Sequence, residues 1–256
     1  MATIDLNCDM GESFGVYKLG DDAAMLDVVT SANIACGFHA GDPLVMASTL
    51  AKAKEKGVGA GAHPSFLDLW GFGRRPIHGE RPADVEKAVI YQIGALQALA
   101  HSLGLRLTHV KAHGSLGNMS NDDLDLARAI GRAIKAVDPN YIFVVMPGLP
   151  TEKAGEELGL RMAREVFADR AYADSGNLLS RKIEGSVIHD PELAAERVLR
   201  MVESGEVITA SGKRLPLRVD TVCVHGDTPG AVAMARAVKQ RLEAAGVAIK
   251  PMGEWL

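Results

Sequence analysis

Strand after strand of this chain is apolar on one face only, and the other face is made of small, polar or ionisable residues. In Thr3–Asp9, Ile4, Leu6 and Cys8 alternate with Asp5, Asn7 and Asp9. Asn33–His39 sets Ile34, Cys36 and Phe38 against Asn33, Ala35, Gly37 and His39. Val58–His63 opposes Val58, Ala60 and Ala62 to Gly59, Gly61 and His63, and Leu107–His113 opposes Thr108, Val110 and Ala112 to His109, Lys111 and His113. Thr221–His225 repeats the pattern, with Val222 and Val224 against Cys223 and His225. Two further strands are expected: Tyr141–Met146, apolar on both faces, and Arg161–Ala168, which carries Glu165. Helices are expected between them, starting at Asp42-Pro43, Pro82, Ser120, Asp190-Pro191 and Thr228-Pro229. Gly57, Gly104, Gly205 and Gly246 are the matching stops.

Alternating strands and helices predict a parallel sheet. An open sheet covered by helices on both sides would be apolar on both faces of its strands. One apolar face per strand instead predicts a closed barrel, with that face toward outer helices and the other lining the interior. The expectation is an α/β fold: a single-domain, TIM-like β/α barrel over residues 1–256, with seven or eight parallel strands. Ala248-Ile-Lys250 is a candidate closing strand.

The same parity puts Asp5, Asn7, Asp9, Asn33, His39, His63, His109, Lys111, His113, Glu165 and His225 in or near the lumen. Burying so many ionisable groups is costly unless they pair with each other, a ligand or a metal. His39, His63, His113 and His225 fall at or near strand C-terminal ends, where barrel enzymes place their chemistry. They are expected to converge on one rim. Asp9 with two of the histidines could hold a divalent cation, although no His-Glu-x-x-His motif supports it. Lys111 would either lose basicity through burial or stay charged beside Asp5 or Asp9. The connection from Pro64 to Arg81 is long enough to be a lid or a binding loop. Arg74, Arg75, Arg170 and Arg181 lie in loops on the same side, where a guanidinium fork could hold a carboxylate.

Composition narrows the partners. A net charge of −4 argues against nucleic acid, and no apolar run is long enough to span a bilayer. The start has neither a basic region nor an apolar core of a signal peptide, so a cytoplasmic protein is expected. The three cysteines are widely spaced and read as buried thiols. Neither a P-loop nor a dinucleotide-binding glycine motif is present.

Several stretches together resemble the LamB/YcsF family, the A subunit of bacterial 5-oxoprolinase. They are Asp5-Leu-Asn-Cys-Asp-Met-Gly-Glu12, Asn33–Asp42, Gly61-Ala-His-Pro-Ser65 with Gly71-Phe-Gly-Arg-Arg75, and Val110-Lys-Ala-His-Gly114. Glu165-Val-Phe-Ala-Asp-Arg170 and Cys223-Val-His-Gly-Asp227 complete the set. The resemblance implies a barrel related to glycoside hydrolases and polysaccharide deacetylases. It also implies ATP-dependent opening of 5-oxo-L-proline (pyroglutamate) to L-glutamate, with partner B and C subunits and ATP as co-substrate. On that reading Asp9, His39, His63, Lys111 and His113 are the catalytic candidates. One of the first three or His113 would be the general base, and Lys111 would stabilise developing negative charge. Asp5, Asn7, Asn33, Arg74, Glu165, Arg170 and His225 are the candidates for holding substrate, with Asp5, Asn7 and Glu165 forming a supporting shell. Where the family shows Gly-Ala-Leu-Tyr-Asn, this chain has Gly114-Ser-Leu-Gly-Asn118, so glycine stands in place of the tyrosine. The rival readings are a free-standing metal-dependent deacetylase or amidohydrolase, and a non-catalytic binding component.

Overall fold

A computed structural model describes residues 2–226 and 230–256. The chain runs β1 (Thr3–Met10), α1 (Asp22–Leu26), β2 (Ser31–Ala35), α2 (Pro43–Lys56), β3 (Gly59–His63), α3 (Pro82–Ser102), β4 (His109–Val110), α4 (Gly114–Ser120), α5 (Leu124–Val137) and β5 (Ile142–Val145). It continues through α6 (Pro150–Leu158), β6 (Met162–Phe167), α7 (Pro191–Ser204), the hairpin strands β7 (Glu206–Ile208) and β8 (Arg214–Pro216), β9 (Thr221–Cys223), α8 (Ala231–Ala244) and β10 (Ala248–Ile249). β1, β2, β3, β4, β5, β6 and β9 pair in that order, all parallel, and β9 pairs back onto β1. The barrel is therefore closed with seven strands. β10 is the eighth in the sheet, but it pairs only with Thr3 and Ile4 at the start of β1 and is not a stave.

The helix signals have visible causes. Asp42 accepts hydrogen bonds from the Leu44 and Val45 amides, Pro43 opens α2, and Gly57 closes it in the left-handed conformation (φ 67°). Asp190, Pro191 and Gly205 do the same for α7. The expected start at Thr228-Pro229 lies outside the described residues.

The alternation is realised as expected. Ile4, Leu6, Cys8 and Met10 belong to the apolar layer between barrel and helices, while Asp5, Asn7 and Asp9 are buried inside. Register lines the interior up in tiers. Asp9 lies beside Asn33, Asn33 beside Gly61, and Gly61 beside His109. A Cβ on Gly61 would stand 2.3 Å from the His109 ring, so the missing side chain makes room for an imidazole. The floor is closed by Met252, fully buried against Ile142, Val144 and Ala163.

Three boundaries differ from expectation. β2 stops at Ala35 instead of reaching His39, because Gly37 (φ 94°) turns the chain and its amide bonds to the Ala40 carbonyl. β4 keeps only two ladder residues, and His113 becomes the N-cap of α4, a helix that sequence pattern did not reveal. Ser120 therefore ends a helix, and the next one starts from Asp123, whose carboxylate accepts from the Asp125 and Leu126 amides.

Candidate active site

At the floor of the lumen, Asp5 accepts hydrogen bonds from Thr30 (2.8 Å), Ser31 (2.6 Å), Thr221 (2.5 Å) and the Met252 amide (3.1 Å). Burial outweighs these bonds and raises its pKa to about 6. One tier up, the Asn7 amide donates to Thr221 (2.7 Å), and Asn33 donates to Asn7 (2.7 Å) and Asp9 (2.8 Å). His109 Nε2 donates to the Asn33 side-chain oxygen (2.9 Å), and burial, then Lys111 and His63, pull the His109 pKa down to about 3. Asp5 and Asn7, expected both among the substrate-holding candidates and as a supporting shell, bond with Asn33 to protein partners beneath the cavity, and the three form the support on which Asp9 stands.

Above this tier is a cavity of about 450 Å³ at the C-terminal end of the barrel. Asp9, His63, Lys111, His113, Glu165 and His225 line its inner part, and Arg74, Arg170, Arg181 and Lys182 its outer part. Lys111 Nζ lies 2.9 Å from Asp9 Oδ1, 2.9 Å from Glu165 Oε1 and 3.1 Å from Cys223 Sγ. Burial alone would lower its pKa, but Asp9, Cys223 and Glu165 raise it well above the ordinary lysine value. Of the two alternatives for Lys111, the charged one beside Asp9 holds: its ammonium is hydrogen-bonded to Asp9 and Cys223 and ion-paired with Glu165. Burial also opposes ionisation of Asp9, yet His63 and Lys111 hold its carboxyl well below the usual range.

The histidines meet on the rim as expected. His63 Nε2 stands 3.3 Å from Asp9 Oδ2 and 3.0 Å from His113 Nδ1. His63 Nδ1 donates to the Lys111 carbonyl (2.7 Å), and His113 Nε2 donates to the Phe72 carbonyl (2.9 Å). Each ring thus turns its other nitrogen toward its neighbour. His39 Nε2 is 3.2 Å from Glu12 Oε1, while its Nδ1 has no partner among the described residues. Burial, then the neighbouring imidazoles, push His39 and His113 well below the ordinary histidine pKa. Two residues beyond β9, His225 Nδ1 donates to Asp169 (2.9 Å). His225 also falls with Asp9 and Cys223 in a group whose polar atoms lie within 4.8 Å of one another.

Glu12, His39, His63 and His113 form a second such group, buried and within the same 4.8 Å, and it has the composition of a metal site. The His39 and His113 rings are stacked, 3.7 Å apart and 7° from parallel. A ligated ion lies in the plane of its imidazole, so one ion cannot take both rings in this arrangement. Glu12, His63 and His113 do fit together, since the last two donate their other N–H to backbone carbonyls, as metal-bound histidines do. The set expected from sequence, Asp9 with two histidines, is less suitable because the Lys111 ammonium already sits against Asp9.

Strand periodicity passed over Glu12, Asp169 and the Phe72 carbonyl as site groups. All three lie beyond strand ends, where alternation no longer reports direction, and only the family motifs pointed to Glu12 and Asp169. The lid is also in place: Gly73 packs so closely that a Cβ would lie 2.3 Å from Ser65 Oγ and 2.8 Å from both His39 and His113.

Comparison with known proteins agrees with this architecture. A protein from Rhodopseudomonas palustris, named as the A subunit of 5-oxoprolinase, is 58% identical over 97% of this chain and 98% of its own length. The crystal structure of a lactam utilization protein from Thermus thermophilus superposes with a TM-score of 0.91 at 46% identity, covering 97% of this chain and 99% of that one. A deacetylase solved with substrate shares the fold alone, at TM-score 0.50 and 12% identity, over 98% of this chain and 88% of that one. The LamB/YcsF family model matches residues 4–256, and the chain belongs to the LamB/YcsF family.

Proposed function

We propose that this chain is the A subunit of an ATP-hydrolysing 5-oxoprolinase, and that it opens an activated lactam to L-glutamate together with B and C subunits. The observation that carries the chemistry is the Asp9–His63 contact at 3.3 Å, in a cavity that His225, held by Asp169, also lines. Two separately anchored imidazoles in one cavity suit an amide hydrolysis, in which water loses a proton and the ring nitrogen gains one. His63 is tautomerically fixed by the Lys111 carbonyl, so its Nε2 is the base, and Asp9 compensates the imidazolium that forms. His225, fixed by Asp169, supplies the proton that lets the C–N bond break. Lys111, 2.9 Å from Asp9, keeps that carboxylate ionised and, as expected from sequence, stabilises negative charge that develops on the substrate. Arg74, stacked 4.9 Å over the Phe72 ring, takes the substrate carboxylate.

An unactivated amide resists hydrolysis, and ring strain in a five-membered lactam adds little. Transfer of the ATP γ-phosphoryl group to the lactam oxygen overcomes this. Water then adds to the ring carbon, and cleavage of the C–N bond leaves an acyl phosphate, which a second water converts to glutamate and phosphate. A divalent ion held by Glu12, His63 and His113 would occupy the same His63 Nε2 and would supply the activation of water in place of that base. The names of the relatives support the lactam and the existence of other subunits. The test is glutamate formation from 5-oxoproline, ATP and magnesium by this chain mixed with B and C subunits. Glutamate formation abolished by His63→Gln is the expected result, and wild-type rates with that variant remove His63 as the base.

A further inference from the structure

The carboxylates around the cavity are committed to different degrees. Asp9 Oδ1 accepts from Asn33 (2.8 Å) and Lys111 (2.9 Å), and its Oδ2 stands 3.3 Å from His63. Both oxygens of Asp169 lie 2.9 Å from His225 Nδ1, and Glu12 is held against His39 at 3.2 Å. Glu165 differs. It is 3% exposed and lines the cavity, yet its buried Oε1 accepts no hydrogen bond from any described residue. The Lys111 ammonium lies 2.9 Å from that oxygen as an ion pair, without the alignment of a hydrogen bond. Buried carboxylates are ordinarily hydrogen-bonded, so acceptor capacity left open on a cavity wall calls for a donor on the ligand.

The surroundings say which donor. Alternation along β6 puts Glu165 and Phe167 on the same face, and Phe167 is paired with Cys223 on β9. His225, two residues beyond Cys223, stacks its ring on Phe167 at 5.5 Å and 18°, and Lys111 Nζ lies 5.3 Å over the same ring. Glu165, Lys111 and the proton-donating His225 are therefore gathered around one phenylalanine. The Lys111 ammonium is set between two carboxylates, Asp9 and Glu165, and Asp169 is paired with His225, so a ligand group that gains positive charge is favoured here.

We infer that Glu165 is the binding group for the ring nitrogen of the substrate, accepting its N–H and then holding the ammonium of the opened product. This deepens the function proposed above and rests on it for the lactam. Addition of water leaves the hydroxyl on the ring carbon and a hydrogen on the nitrogen. When the C–N bond breaks, its electron pair stays on nitrogen, which takes one proton from His225 and a second from solvent to become an ammonium. The contact with Glu165 strengthens as that charge develops, so it favours bond cleavage more than initial binding. Glu165 thus does more than support Lys111, the part the sequence suggested for it.

The experiment is calorimetric titration of the whole purified chain with L-glutamate and with glutarate, which has the same two carboxylates but no ammonium. L-Glutamate should bind at least ~10-fold tighter, and Glu165→Gln should bring it to the glutarate value while leaving glutarate binding unchanged. A residue that merely supported Lys111 would affect both acids alike. Equal binding of the two acids by the wild type, no saturable binding of L-glutamate, or a preference that survives in Glu165→Gln overturns the inference. Should Glu165→Gln fail to fold, Glu165→Asp keeps the charge beside Lys111 but draws it back from the cavity, and should lower the same preference. In the system reconstituted with B and C subunits, Glu165→Gln should lower kcat at least ~10-fold with a smaller effect on KM. If the wild-type system makes glutamate and Glu165→Gln matches its rate, this inference falls and the proposed function stands. If the wild-type system makes none, the proposed function falls.

Discussion

Asp9 is the residue on which the site turns, and its surroundings say what each substitution should do. It is flanked by Lys111 at 2.9 Å, Asn33 at 2.8 Å and His63 at 3.3 Å. Asp9→Asn removes the charge that steadies a His63 imidazolium, and turnover of the assembled system should fall at least ~10²-fold with the fold retained. Steady-state glutamate formation together with a thermal melt checks both halves. Lys111→Met is different, because it strands Asp9 and Glu165 as neighbouring buried carboxylates. It should cost about 3–5 kcal/mol of stability, as removal of one partner of a buried pair does. Adding Glu165→Gln should restore part of that loss in denaturant titrations, an outcome that a purely catalytic lysine would not give. The residue-level parity was legible, since a period of two placed Asp9, Lys111, His113 and Glu165 correctly inside. Their partners were not, because strand alternation gives a direction but no distance. Gly117 illustrates the limit. It lies on the cavity wall where the family pattern has tyrosine, and a Cβ there would stand 2.8 Å from the Ala112 carbonyl oxygen, a closeness that no sequence pattern reports.

Two elements decide how the site responds to its environment. The first is β4, which carries His109 into the sealed tier under the cavity. Its folded pKa of about 3 lies below the ordinary 6.5, so the unfolded chain binds more protons between these values. The stability this contributes is full above pH ~6.5 and is lost as pH falls toward the folded value. Asp5, raised to about 6, has the opposite sign, losing stability as pH rises from 3.8, and so softens the slope. His109→Gln keeps a donor for Asn33 but cannot titrate. Its melting temperature should therefore drop less than that of the wild type between pH ~6.5 and ~4.5, and parallel curves would show that His109 is not the titrating group. The second element is the Pro64–Arg81 connection. Asp68, itself buried, accepts from the Gly71 amide (2.9 Å) and the Arg75 guanidinium, and Phe72 adopts a left-handed φ of 54° that delivers its carbonyl to His113. Gly73→Ala adds a methyl group 2.3 Å from Ser65 Oγ and 2.8 Å from His39 Cβ and His113 Cδ2 at φ 62°, so it should misplace His39 and His113 together. The expected readout is a loss of turnover of at least ~10-fold, the scale on which small misplacements act, with the melting temperature lowered by the strain and the fold retained. The length of this connection marked it as a lid in the sequence. Its seat on the histidines was hidden, because backbone carbonyls carry no residue identity.

At the scale of the whole molecule, one-sided strands separated by helices were enough to specify a closed barrel. The count of staves was not, because β10 has the sequence of a strand and lies in the sheet without closing it. The outside of the barrel raises a different question. Trp70 is 96% exposed, Val16 86%, Leu44 82% and Tyr17 76%. They sit on segments that frame the mouth of the site, and two of these are tied together by the Gly15 amide bonding to Asp42. Large apolar side chains exposed around a functional opening are characteristic of surfaces that meet another protein. The interior meanwhile carries the carboxylates and imidazoles that the proposed hydrolysis needs, while the sequence offers no nucleotide-binding motif of the known kinds. On the function proposed above, both are expected if another polypeptide carries out the ATP-dependent step and delivers its product here. The isolated chain given 5-oxoproline, ATP and magnesium should then form no glutamate, and activity should appear when B and C subunits are added. Trp70→Ser combined with Tyr17→Ser should leave the melting temperature of the isolated chain unchanged while raising the concentration of partners needed for half-maximal activity. Full ATP-coupled turnover by the single chain would refute the dependence on partners outright.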